Sequence, residues 1–118
     1  MKPKINPVFI GCGEIRMGPP YNHAYLDLEG DWVPDLPRDG WQDLFAHSHD
    51  GEILALVRWD PDNNKPGFRL VVIDAEKKTV EESERIPGCC DTLEWSTSRF
   101  KYHTFGFIKH DNAKKAAG

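Results

Sequence analysis

"HSHDGEILALVRWD", residues 47–60, is the stretch that decides the fold. Asp50-Gly51 stands between two strand-like runs. Such a pair favours a two-residue hairpin, because a type I′ turn needs positive φ at both central positions. Beyond it, Ile53, Ala55, Val57 and Trp59 share one face of an extended chain, and Leu54 and Leu56 share the other. A strand that is apolar on both faces belongs in the middle of a sheet. The preceding "WQDLFAHS", 41–48, reads as the first arm of this hairpin or as a short helical turn. The hairpin needs a partner, so the strand is expected.

Downstream, "PDNNKPG" (61–67) is a turn, since Pro, Asp, Asn and Gly each favour one for a definite backbone reason. "FRLVVID" (68–74) is a second strand apolar on both faces. "TVEESERI" (79–86) alternates weakly and is heavily charged, as an exposed strand near a sheet edge would be. Pro87-Gly88 ends it. "CDTLEWS" (90–96) and "RFKYHTFGFI" (99–108) are further strands, the latter with a phase change that predicts a bulge near 104–106. Upstream, "PVFIGCGEI" (7–15) is a strand interrupted by glycines, and "RMGPPYN" (16–22) is a loop. "HAYLDLEGDWV" (23–33) is a strand followed by a turn at Gly30, and "PDLPRDG" (34–40) is a proline-bearing loop.

No long helical period occurs. The expected fold is all-β and mainly antiparallel: a small β-sandwich, meander or barrel of about 7–8 short strands, with at most a short helical turn. Residues 1–108 form one β-rich domain, and 109–118 are expected to be a mobile tail. The run from His47 to Trp95 resembles the hairpins of β-propeller blades in "SHDGEILALVRWD", "FRLVVIDAEKK" and "LEWS". That resemblance implies a blade-like sheet and not a propeller, which needs several blades.

The chain has 118 residues and a formal net charge of −4. Lys2 and Lys4 lie at one end and Lys109, Lys114 and Lys115 at the other, and the middle is acidic, which argues against direct nucleic-acid binding and for a basic protein partner. No apolar run approaches the roughly 20 residues needed to span a bilayer, and no secretory signal is evident, so a cytoplasmic protein is expected.

Three cysteines, Cys12, Cys89 and Cys90, do not suit a fully paired disulfide framework. Adjacent Cys89 and Cys90 lack the spacing of a structural zinc site or a redox pair. On an extended chain they point to opposite sides, one into the core and one to the surface. Packing is the expected role, with metal binding or reactivity as the alternatives. His47 and His49 fall on one side of a strand and with Asp50 form the best metal-ligand candidate. The plain alternative is a solvated hairpin flank. No cofactor is expected. His103 with Glu94 on neighbouring strands is a conceivable acid–base pair.

The acidic stretch "DLEGDWVPDLPRDGWQD", 27–43, is the most distinctive surface candidate. It carries Asp27, Glu29, Asp31, Asp35, Asp39 and Asp43 with Trp32 and Trp41 among them. Tryptophan is enriched at binding hot spots, and an acidic surface suits a basic partner. Both tryptophans could equally close the core. The leading expectation is a protein-binding domain, such as an immunity-type inhibitor that neutralises a basic toxin, for example a nuclease. The match to such proteins lies in size, charge and the lack of catalytic signatures. The alternatives are a small metal-assisted or His/Glu acid–base hydrolase, and an accessory domain of a larger assembly that pairs through the 79–86 edge.

Overall fold

The computed structural model describes residues 3–13, 23–63, 65–96 and 98–104, with backbone alone at 12 and 13. The described residues form nine strands: β1 Ile5–Gly13, β2 His23–Gly30, β3 Trp41–His47, β4 Ile53–Trp59, β5 Gly67–Asp74, β6 Thr79–Glu82, β7 Ile86–Pro87, β8 Cys90–Ser96 and β9 Arg99–Thr104. Among the described residues there is no helix. The fold is therefore all-β and antiparallel, and the stretch at 41–48 is a strand. The expected loop at 16–22, the bulge beyond Thr104 and the tail lie outside the described residues.

The large sheet is a meander in the order β1-β2-β3-β4-β5-β6, with β7 also on β5, and β8-β9 form a separate ribbon. β4 lies between β3 and β5, as its two apolar faces require. Its register on β5 runs unbroken from Ile53↔Asp74 to Trp59↔Phe68. One face of this pair carries Leu54, Leu56, Val71 and Ile73, the other Ala55, Val57, Phe68, Leu70 and Val72.

Each face has its own cover. Over the first, the β1–β2 hairpin brings Ile5 and Leu26 against Trp41, Leu54, Leu56, Val71 and Ile73. It can do so because β2 pairs with β3 only at His23↔Gln42 and Ala24↔Trp41, and is then free to swing across. Main-chain and side-chain bonds pin the crossing. The Lys4 N–H donates to the Gly51 carbonyl at 2.9 Å, and Lys4 Nζ meets Glu76 at 2.6 Å. Over the second face, the β8–β9 ribbon buries Cys90 and Leu93 against Ala55, Val57 and Phe68. The Gln42 amide bridges the layers, donating to the Cys90 carbonyl at 2.9 Å. Its Oε1 is buried and has no hydrogen-bond partner among the described residues.

The charged stretch at 79–86 is not one strand. β6 pairs with Val71–Asp74 and β7 with Gly67–Phe68, and Ser83–Arg85 bulge between them. Arg85 holds the break closed: its Nε donates to the Asp60 carbonyl at 2.7 Å and its Nη2 to the Lys65 and Pro66 carbonyls at 3.1 Å each.

The β3–β4 hairpin forms where its sequence predicts, but through a different turn. The Gly51 N–H donates to the Ser48 carbonyl at 3.0 Å, so His49 and Asp50 are the central residues. Gly51 follows with φ of 77°, whereas Asp50 does not adopt positive φ. This is a type I turn closed by a left-handed glycine, in place of the type I′ turn expected. The side chains explain the preference. Asp50 Oδ1 accepts from Ser48 Oγ at 2.7 Å and from the Glu52 N–H at 3.0 Å, while Ser48 Oγ accepts the Ile53 N–H at 3.0 Å. These bonds satisfy the turn with Asp50 at negative φ. They also hold the Asp50 carboxyl below the usual carboxylate range, chiefly through Ser48.

A Cβ on Gly51 would lie 2.9 Å from Pro3 Cα, in addition to the cost of a left-handed alanine. Gly51→Ala is expected to destabilise the protein by about 1–3 kcal/mol in urea unfolding, and an unchanged midpoint would contradict the turn described.

Candidate functional site

The acidic stretch takes its shape from two anchors. Beyond β2 the chain runs from Asp31 to Gly40 without joining the ladder, yet its ends are fixed. The Asp31 N–H donates to the Lys4 carbonyl at 2.8 Å, and the Leu26 N–H to the Arg38 carbonyl at 2.7 Å. Between these anchors the residues alternate. Trp32, Pro34 and Leu36 turn inward, Trp32 and Leu36 packing on the core cluster, while Asp31, Val33 and Asp35 are exposed. The period-two pattern of a strand is thus present without a strand's hydrogen bonds.

The carboxylates divide into two groups. Asp27 is engaged by Arg38, whose Nε and Nη2 lie 2.9 and 3.4 Å from its two oxygens. Asp39 lies 3.3 Å from His23 Nε2. Asp43 is half-buried at the irregular step in β3 and is engaged as well. By contrast, Glu29, Asp31 and Asp35 are exposed and form no ion pair among the described residues. Glu29 and Asp35 flank a concavity of about 370 Å³ that Val33 also lines. Val33 is 45% exposed, an apolar contact point between two unneutralised carboxylates.

The tryptophans have different environments. Trp41 is 1% exposed and its indole N–H donates to the Pro37 carbonyl at 2.7 Å, so it has no face to offer a partner. Trp32 is half-buried beneath the acidic segment. Two residues of this surface escaped the sequence reading. Val33 is visible only once the segment is known to be extended. Arg38 reads as one basic residue in a proline loop, and its link to Asp27 depends on the chain reversal.

The histidines do not converge. His47 ends β3 and its Nε2 lies 2.8 Å from the Ile5 carbonyl. A carbonyl can only accept, so Nε2 carries the proton, and the ring clips β1 to β3. His49 is exposed in the turn and no longer shares a strand face with His47. Among the described residues no group of three or more His, Cys, Asp or Glu could hold a metal ion. His103 Nδ1 lies 2.7 Å from Thr92 Oγ1, and Glu94 pairs in register with Lys101 on the same ribbon. His47→Ala is expected to lower stability by about 1–3 kcal/mol by orphaning the Ile5 carbonyl. His49→Ala should stay within about 0.5 kcal/mol of the parent protein. Equal losses from both would contradict the clip.

The two adjacent cysteines face different surroundings, as strand alternation predicts. Cys90 is fully buried and its thiol donates to the Thr92 carbonyl at 3.4 Å, whereas Cys89 is half-buried. Burial, reinforced by Asp91, pushes the Cys90 thiol up to about 12, and burial also raises Cys89. A thiol held neutral is a poor nucleophile and a poor ligand. The stability gained from burying neutral Cys90 is complete below its ordinary value of 9.0 and is lost as pH rises towards 12. In a Cys12→Ser background near pH 8, iodoacetamide should modify Cys89 slowly and leave Cys90 intact, as read by peptide mass spectrometry. Equal labelling would contradict the burial.

No helix among the described residues is long and apolar enough to cross a membrane. Comparison with known proteins gives no match: no family model, no curated protein and no solved structure is significantly similar to the chain. What fold and geometry define is a small antiparallel β domain, a meander covered by a ribbon on each face, with an anchored acidic segment at one end of its sheet.

Proposed function

We propose that this chain is a protein-binding domain that acts in the cytoplasm, and that the segment from Glu29 to Asp35 is its contact surface for a basic partner. The observation that carries the reading is the division of the carboxylates. Asp27 and Asp39 are already engaged within the domain, whereas Glu29, Asp31 and Asp35 stand exposed around Val33 and form no ion pair among the described residues, although Arg38 and Lys4 line the neighbouring concavities. Uncompensated charge of one sign speeds encounter with an oppositely charged partner and sets its orientation. The segment is pinned at both ends by main-chain bonds, so little ordering cost remains at binding. A concrete version is an immunity-type inhibitor that covers the active site of a basic toxin such as a nuclease.

The test uses the tagged domain and a triple variant, Glu29→Lys, Asp31→Lys and Asp35→Lys. Extract from the native host is passed over both, and bound protein is released by rising salt. A single basic protein retained by the parent domain is then purified and its association rate measured against each form. The variant is expected to associate about 10- to 100-fold more slowly, with a flatter salt dependence. Equal rates and equal salt dependence would refute the placement. Asp27→Asn serves as the control, because its carboxylate is already engaged by Arg38.

A further inference from the structure

β6 closes the large sheet, and nothing among the described residues pairs with its outer edge. All four of its residues are exposed, including Val80 at 38%. The direction of its backbone groups follows from one bond. The Ser83 N–H donates to the Leu70 carbonyl at 2.9 Å. In an antiparallel pair the bonded positions alternate, so Glu81 and Thr79 also direct their N–H and C=O groups at β5. Val80 and Glu82 direct theirs outward. The edge therefore presents unpaired donors and acceptors at those two positions.

Charge on a strand edge ordinarily blocks pairing with another chain. Here the signs are ordered along the strand: Lys77 and Lys78 precede it, and Glu81 and Glu82 end it. An antiparallel copy reverses that order. We propose that the β6 edge pairs with the β6 of a second copy of this chain, antiparallel about a two-fold axis at Val80, joining the two large sheets into one. The outward groups of Val80 and Glu82 allow three centred registers. With the axis at Glu81 or at Glu82, two identical carboxylates oppose each other across it. With the axis at Val80, Lys78 faces the second copy's Glu82 and Thr79 faces its Glu81, each contact made twice by symmetry. Glu82 already meets Arg58 of its own chain, but at 3.4 Å and with both side chains partly exposed, so it can be shared with the second copy's Lys78, and charge selects the register centred on Val80. The two Val80 residues exchange a reciprocal pair of main-chain bonds on the axis, and their exposed side chains meet.

Lys78 has φ of 58° and belongs to the turn, so the shared ladder is short. An interface of this length is of the weak, transient class. The surface lies at the opposite end of the sheet order from β2 and is independent of the acidic segment proposed above.

The experiment is sedimentation of the full chain from about 10 μM to about 1 mM, the range in which weak pairs form. The parent protein should pass from monomer towards dimer. Val80→Pro should remain monomeric and folded, because the Val80 N–H makes no bond to β5 and proline is tolerated at such an edge position. Lys78→Glu and Glu82→Lys should each reduce dimer formation about tenfold, and the double variant should recover it. Circular dichroism of each variant separates lost pairing from lost fold. A parent protein monomeric throughout would overturn the proposal. So would dimerisation untouched by Val80→Pro, and two folded single variants whose combination restores nothing would overturn the register.

Discussion

Two strands that are apolar on both faces impose the architecture. β4 and β5 present Leu54, Leu56, Val71 and Ile73 to one side and Ala55, Val57 and Phe68 to the other, and water must be kept from both. A single sheet hides at most one face against a partner layer, so this chain uses its first two strands for one side and its last two for the other. The departures from a regular meander follow from this need. β2 leaves β3 after two paired residues in order to cross the first face. The β3 ladder shifts register between Gln42 and Phe45, where the edge of the second cover meets it through Gln42 and Cys90.

The two covers are attached differently. The β1–β2 hairpin is held at its crossing by polar bonds around Lys4 and Ile5: the Gly51 carbonyl, the Glu76 carboxylate and the His47 ring. The β8–β9 ribbon relies more on apolar contact, with Leu93 and Phe100 packed into the second cluster and Phe68 edge-on to Tyr102 at 5.8 Å. The buried bond from Gln42 to the Cys90 carbonyl leaves Gln42 Oε1 without a partner among the described residues, at a typical cost of about 1–3 kcal/mol.

Much of the sheet was legible in the sequence because its rules are local. The apolar residues on both faces of "EILALVRW" announced a central strand, and the charges of "TVEE" announced an edge. The turn between β3 and β4 was placed correctly but assigned the wrong geometry, since Asp-Gly also suits a type I turn closed by glycine when Ser48 and Glu52 offer partners to Asp50. Residues 79–86 read as one strand because the bonds of Arg85 to three distant carbonyls leave no mark in the local pattern. The acidic surface was visible as composition alone. Which carboxylates are neutralised depends on the chain reversal that sets Arg38 beside Asp27, and the burial of Trp41 depends on what crosses above it. Neither is encoded within a few residues.

The crossing of the first ribbon also sets an order of events during synthesis. Ile5 and Leu26 emerge early, yet the side chains they bury against, Leu54, Leu56, Val71 and Ile73, follow some tens of residues later. Until β5 has left the ribosome, the N-terminal hairpin has no surface on which to settle, and its apolar side stays exposed to whatever else is in solution. The C-terminal ribbon has no such wait, because its docking face is complete before Cys90 is made. The two faces of the sheet therefore differ in how long their covers wait, and the β1–β2 hairpin, which precedes its docking surface, waits longer than the β8–β9 ribbon, which follows it.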